Sequence, residues 1–239
     1  MSRLIVTIDG PAASGKSTVA RLLAARLNAV FLDTGAMYRA ATLAAMKAGV
    51  ELSSQHQVLE IINSTQFDFT SSHNGMRVYI DGMDVTDEIR NPRVTANARY
   101  VAGSAQARKH LVAMQRNFAQ NHGRIVTEGR DQGTVAFPDA DVKFFLTADL
   151  CERAKRRQSE LKTKGIEQTD EEISRSIENR DQSDEKRTVG PLKPADDAVI
   201  VDTTNLTLEQ VVEKLFACVK ARLGQGKGSS PSVPDFGEK

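Results

Sequence analysis

Leu4-Ile5-Val6-Thr7-Ile8-Asp9-Gly10-Pro11-Ala12-Ala13-Ser14-Gly15-Lys16-Ser17-Thr18-Val19 is the stretch on which the reading of this chain turns. Residues 4–8 form a short apolar run, the pattern of a parallel strand buried on both faces. Residues 10–17 fit G-x-x-x-x-G-K-[ST], and that fit counts because a buried strand precedes it and an amphipathic helix follows it. Glycine lets the backbone wrap tightly, so that its N–H groups point inward at phosphate oxygens. The start of the following helix adds the positive end of its dipole. Lys16 is placed to reach the β and γ phosphates of a nucleoside triphosphate, and the Ser17 hydroxyl to ligate Mg²⁺. Gly10, Pro11, Ala12, Ala13, Ser14, Gly15, Lys16, Ser17 and Thr18 are therefore the expected triphosphate contacts.

Outward from that loop, short apolar runs at 29–32, 125–127, 142–146 and 198–201 alternate with helical stripes. Val19, Leu22, Leu23 and Leu27 make one stripe, and Val211, Val212, Leu215, Phe216 and Val219 another. Thr207 with Gln210 forms a capping box before the second stripe, and Gly224 stands where that helix would stop. Asp149 and Glu152 can cap a further helix in a similar way. Strand–helix alternation of this kind predicts an α/β fold with a doubly wound sheet: a P-loop three-layer sandwich around five parallel strands. Residues 67–89 break the rhythm. Phe67-Asp68-Phe69, a turn at His73-Asn74-Gly75, Met76 to Ile80 and then Asp81-Gly82 predict β-hairpins. Asn91-Pro92 reads as the start of a helix. The expected organisation is one domain over 1–223. Its core is 1–60 and 123–223, with an insertion at about 61–122, a short lid at about 150–168, and a disordered tail over 224–239.

Bulk composition narrows the classes. The chain has 239 residues, 40% of them hydrophobic, with nine Phe, three Tyr and no Trp. So few aromatics argue against a base-stacking platform for single strands. A net charge of +1, from 32 basic and 31 acidic residues, lacks the basic excess of a polyanion binder. Cys151 and Cys218 are far apart, and four histidines are scattered, so zinc-ligand spacing is missing. No run approaches the roughly 18 apolar residues of a membrane span. A soluble, cytoplasmic protein without nucleic-acid or membrane partners is expected, acting as a monomer.

A phosphate-binding loop alone does not choose among kinases, switch GTPases, motors and simple binders. The N-K-x-D loop with which switch GTPases read guanine is not found, and a motor needs more length. The arginines choose: Arg39, Arg130, Arg153, Arg156, Arg157, Arg180 and Arg187 have acidic neighbours and many follow strands. Guanidinium forks of fixed geometry are what two phosphorylated substrates held face to face require. Arg130 sits in Glu128-Gly129-Arg130-Asp131 at the carboxyl end of a strand, where ligands of open α/β sheets gather.

Asp33-Thr34-Gly35-Ala36-Met37-Tyr38-Arg39, Gly129-Arg130-Asp131-Gln132-Gly133-Thr134-Val135 and Arg180-Asp181…Asp184…Arg187…Pro191-Leu192 resemble the signature blocks of bacterial cytidylate kinases. The hairpin insertion also resembles that family's enlarged CMP-binding region. The resemblance implies ATP and Mg²⁺ as cofactors and CMP or dCMP as acceptor. It implies that Thr34, Arg39, Arg130 and Arg187 hold the CMP phosphate, that Arg180 and Asp184 address the sugar, and that Asp131 and Arg108 read cytosine. A carboxylate accepts from the exocyclic amino group and a guanidinium donates to ring acceptors. Lys16, Arg130, Arg153 and Arg157 would stabilise the moving phosphoryl group. Arg153, Arg156 and Arg157, with Lys155, Lys162, Lys164 and Gly165 nearby, would belong to a lid closing over ATP. Asp33 is a candidate for organising Mg²⁺, for bracing an arginine, or for capping a helix. One position departs from the family pattern: the serine nine residues before Arg108 is replaced by Arg99, with Thr95 and Ser104 the nearest hydroxyls. Another small-acceptor kinase (uridylate, shikimate or dephospho-coenzyme A type) and a non-catalytic nucleotide binder remain as alternatives.

Overall fold

The computed structural model describes residues 3–72, 75–163 and 165–224. The expected turn at His73 and Asn74, Lys164 of the basic cluster and the tail beyond Gly224 lie outside the described residues. The first half holds β1 (Leu4–Asp9), α1 (Lys16–Arg26), β2 (Val30–Asp33), α2 (Thr34–Lys47), α3 (Gln55–Ser64), β3 (Phe67–Ser72), β4 (Gly75–Ile80) and β5 (Met83–Asp84). Then come α4 (Pro92–Gly103), α5 (Ala105–His122), β6 (Arg124–Gly129), β7 (Val142–Thr147), α6 (Leu150–Thr163), α7 (Asp170–Glu185), β8 (Val199–Asp202) and α8 (Leu208–Gly224).

Five strands form one sheet in the order β2-β6-β1-β7-β8, and all of its pairings are parallel. Every residue of β1 is buried, as a central strand covered on both faces must be. Its side chains alternate between two cores. Leu4, Val6 and Ile8 pack with Val19, Leu23, Val212 and Leu215 of α1 and α8. Ile5 packs on the other side with Leu32, Met37, Leu111 and Ile125, under α2 and α5. This is the expected three-layer sandwich. β8 is an edge strand, and its outward Ile200 is 62% exposed.

The separate small sheet runs β3-β4-β5 and is antiparallel. Its second hairpin closes through Asp81 and Gly82, both at positive φ (49° and 79°), the requirement of a two-residue type I′ turn. Met76, Val78 and Ile80 of β4 bury into the α2 and α5 core, so this sheet shares a core with the main body. Asn91 caps α4 by accepting from the Arg93 amide at 2.9 Å, with Pro92 at the first helical position. Thr207 and Gln210 make the capping box expected before α8. A third small core, formed by Ala154, Leu161, Ile173 and Ile177, joins α6 to α7 and takes in Ala12 of the glycine loop.

Parallel register sets the site. Asp33 is level with Glu128 across β2 and β6, and Asp9 with Gly129 across β1 and β6. The carboxyl ends of three adjacent strands thus deliver acidic groups to one edge of the sheet.

Candidate active site

The glycine loop follows β1, the middle strand. Gly10 passes so close to β7 that a Cβ there would overlap the Leu146 carbonyl oxygen, and its φ is +150°. Gly15 is left-handed (φ 87°) and turns the chain into α1. The starts of α2, α4, α5 and α7 are capped by Asp33, Asn91, Ser104 and Thr169. No described side chain caps α1. Its opening N–H groups are left for an anion. Lys16 is buried and folds onto its own loop, donating to the Pro11 carbonyl at 2.5 Å and the Ser14 hydroxyl at 3.2 Å. Burial, and after it the Arg130 charge, pushes the Lys16 pKa well below the usual lysine range, with Glu128 working the other way.

An oxygen-rich corner adjoins the lysine. Ser17 donates to Glu128 Oε1 at 3.0 Å. Burial and the nearby Asp33 carboxylate push the Glu128 pKa up, while Lys16 and Arg130 restrain it. Asp33 does two of the things expected of it. One oxygen accepts from the Ala36 amide at 2.8 Å, capping α2, and the other accepts from Arg39 at 3.3 Å. Among the described residues no three His, Cys, Asp or Glu side chains gather into a chelating group. A hydroxyl beside a carboxylate still suits Mg²⁺, which keeps several waters and leans on one or two carboxylates plus substrate phosphates.

Across the sheet edge lies a bank of arginines. Arg130 donates from Nε to Asp184 Oδ2 at 2.7 Å, and Arg187 pairs with the other Asp184 oxygen. Burial alone would raise Asp184, but Arg130 and Arg187 hold it below the usual carboxylate range. In this structure Asp184 braces Arg130 and Arg187, a role beyond the sugar contact expected of it. Arg180 is exposed on α7. The surrounding protein, followed by the Arg130 charge, pushes its pKa down to about 10, with Arg39 and Arg157 adding to the crowding. Thr34 is buried and donates to the Glu128 carbonyl at 2.7 Å. The Nε of Arg39 is buried without a partner among the described residues.

Arg108 and Asp131 are each 3% exposed and pair with one another. Burial raises the Asp131 pKa and Arg108 opposes that rise. The backbone of Gly190 passes directly over the pair. Arg99 is elsewhere: it is exposed on α4 and lies over the Tyr100 ring, 5.0 Å from its centroid. Ser104 is committed to capping α5.

The α6 arginines close the other side. Arg153 donates to the Ala148 and Ala12 carbonyls at 3.0 and 3.2 Å and pairs with Asp181. Asp181 also accepts from the Ala12 amide at 2.9 Å, tying α7 to the glycine loop. Arg156 reaches the Ser14 carbonyl and both oxygens of Thr203. Arg157 bonds Glu160 at 2.8 Å while its charge is felt by Arg180. Sequence reasoning assigned no role to Glu128, Asp181 or Asp9. The available signal was a polar residue ending an apolar parallel strand, which applies to Asp9 and Glu128; Asp181 stood in the Arg180-Asp181…Asp184 block without a role of its own.

A cradle for a triphosphate that opens onto a cluster of guanidinium groups serves to bring a second anion to the first. The fold and site therefore define a P-loop phosphotransferase. A family model described as cytidylate kinase matches residues 6–221, and the chain belongs to the cytidylate kinase family. A cytidylate kinase of Anoxybacillus flavithermus (strain DSM 21510 / WK1) is 43% identical over 221 residues, covering 92% of this chain and 98% of the relative. One from Limosilactobacillus reuteri (strain DSM 20016) is 45% identical over 218 residues, 91% of this chain and 95% of the relative. The crystal structure of an uncharacterized protein from Eubacterium ventriosum ATCC 27560 has a TM-score of 0.50 at 11% identity, covering 92% of this chain and 99% of that one. This is a likeness of fold.

Proposed function

We propose that this chain, as a cytoplasmic monomer, transfers the terminal phosphoryl group of ATP to CMP or dCMP with the help of Mg²⁺. The observation that carries the proposal is electrostatic convergence. Lys16 of the cradle lies within the field of Arg130 and Arg180, and Arg180 in turn feels Arg39 and Arg157. So many cations in one cleft repel one another until anions enter, which favours binding two phosphorylated molecules together. Residues 10–18 and Lys16 hold the ATP phosphates. Thr34, Arg39, Arg130 and Arg187 hold the acceptor phosphate, Arg180 and Asp184 lie beside its sugar, and Arg108 with Asp131 reads the cytosine edge. Ser17, with Glu128 and Asp33 beside it, would hold Mg²⁺, which would neutralise charge on the phosphates.

The acceptor is already an anion at neutral pH, so no side chain need remove a proton from it. The work left to the protein is alignment, charge stabilisation and exclusion of water. Lys16 and Arg130 flank the line of transfer, while Arg153 and Arg157 on α6 close the triphosphate side. In this reading residues 1–223 form one domain, with the insertion at about 61–122 receiving the acceptor and the segment at about 150–168 acting as lid. Cytoplasmic residence fits two free cysteines, and among the described residues no helix is long and apolar enough to cross a membrane.

An acceptor panel tests the proposal. With ATP and Mg²⁺, CMP and dCMP are expected to be phosphorylated in preference to UMP, shikimate and dephospho-coenzyme A. A better rate with any of the last three would assign the cleft to another acceptor.

A further inference from the structure

Asp9 ends β1 immediately before the glycine loop, is 4% exposed, and makes its side-chain hydrogen bonds to backbone amides. Its two oxygens accept two consecutive backbone amides from a distant part of the chain. Gln132 N donates to Oδ1 and Gly133 N to Oδ2, both at 2.8 Å. Those amides open the short π turn Gln132–Ala136 that directly follows Arg130 and Asp131. The rest of the turn is held as firmly. Arg116 donates to its Val135 and Ala136 carbonyls at 2.9 and 2.8 Å. The Gln132 side chain accepts from Thr127 at 3.0 Å and donates to Gln115 at 3.3 Å. The turn therefore has an anion on its free N–H groups and a cation on its free carbonyls.

We infer that Asp9 is a positioning residue: its carboxylate fixes the turn bearing Arg130 and Asp131 relative to the glycine loop, and so sets the spacing between the two substrates. Burial keeps a proton on Asp9 up to about pH 7; above that pH the ionised carboxylate accepts the two neighbouring N–H groups through its two oxygens, as no uncharged side chain can. An asparagine would set an N–H₂ against one of those amides, donor facing donor, in a buried place where the loss cannot be made up by water. The turn would then shift, carrying the phosphate-holding and base-reading groups with it, while residues 10–18 keep their own internal bonds. This inference rests on the assignment of Arg130 and Asp131 to the acceptor nucleotide.

The test compares Asp9→Asn with Arg130→Met in the full chain, at a pH well above 7 so that Asp9 is ionised, with CMP and ATP each varied at saturating levels of the other. Asp9→Asn is expected to raise KM for CMP on the order of tenfold to a hundredfold. Its KM for ATP should change by less than about threefold, and binding of CMP without ATP should weaken in parallel. Equal rises in both KM values, or a lowered Tm with both KM values unchanged, would overturn the inference and leave Asp9 a fold-stabilising residue. Should Asp9→Asn fail to fold, Gly133→Ala displaces the same turn from its other side, where a new Cβ meets Thr7 Oγ1 at 3.0 Å and Lys143 Cδ at 3.2 Å. The same split between the two KM values is expected of it. Arg130→Met separates the levels of the claim. If it leaves KM for CMP unchanged, the acceptor assignment itself falls. If it raises that KM while Asp9→Asn does not, only the positioning role falls.

Discussion

Asp131→Asn is the substitution that most sharply separates recognition from folding. Asp131 and Arg108 are both 3% exposed, and Arg108 Nε has no partner among the described residues, so the pair is sealed from water. Removing one partner of a buried ion pair costs about 3–5 kcal/mol. Asparagine keeps an oxygen that can accept from Arg108, so about 2–3 kcal/mol is the expected loss of stability. For a domain of this size that is roughly 5–10 °C in Tm. The catalytic effect is separate. Losing a charged acceptor opposite the cytosine amino group removes about 1.5–3 kcal/mol, or about 10- to 100-fold in kcat/KM for CMP. The new amide N–H can donate to the carbonyl that uracil presents at the same place, so UMP should gain. Initial rates for CMP and UMP with ATP in excess, together with calorimetric Tm, measure both effects. A lowered Tm with an unchanged CMP/UMP ratio would show that the pair holds the fold together and does not read the base.

Other expectations follow from the same geometry. Glu128→Gln, which leaves Ser17 facing an amide in place of a carboxylate, should raise the Mg²⁺ concentration needed for half-maximal rate by about tenfold, as loss of a supporting group near a metal does; an unchanged Mg²⁺ titration would remove Glu128 from the metal corner. Asp9 and Asp184 predict opposite pH slopes of stability. Burial raises the Asp9 pKa to about 7, its two backbone amides and Lys16 opposing and Asp131 adding to the rise. The folded chain then holds a proton there that the unfolded chain has released, so stability relative to Asp9→Asn should fall from about pH 4 to about pH 7 and level off above. Asp184 is held below its ordinary value, so its contribution is present above the usual carboxylate range and is lost as pH falls further. Melting curves of wild type, Asp9→Asn and Asp184→Asn across pH 3–8 would show slopes of opposite sign. Arg99→Ser should leave the CMP/UMP ratio unchanged, because Arg99 is exposed beside Tyr100; a changed ratio would place that side chain in the base pocket.

How much of this was legible in the sequence differs from element to element. The five main strands were readable because strands of a parallel sheet are short, mostly apolar runs, even at the β8 edge where Ile200 is exposed, and each was found within two residues of its bounds. The type I′ turn at Asp81-Gly82 and the caps of α4 and α8 came from residue chemistry that acts over three or four positions. α3 and the capping box of α7 at Thr169 and Glu172 went unread. α3 hides only Val58 and Ile62, too thin a stripe to stand out beside a hairpin region. The site divides along the same line. Glycines, Lys16 and the arginine blocks were visible because their chemistry is local or their pattern is shared with a family. Asp9 with Gln132 and Gly133 was not, because 123 residues separate a carboxylate from the amide it accepts. Arg99, at the position where the family pattern has a serine, is exposed beside Tyr100, a placement that counting residues could not give.

The central claim is that two phosphorylated molecules meet in one cationic cleft, and release of ADP followed with and without CMP tests it most directly. ADP should form rapidly only when ATP, Mg²⁺ and CMP or dCMP are all present, with one CDP or dCDP appearing for each ADP. Turnover of ATP at the same rate without any nucleoside monophosphate would contradict the account.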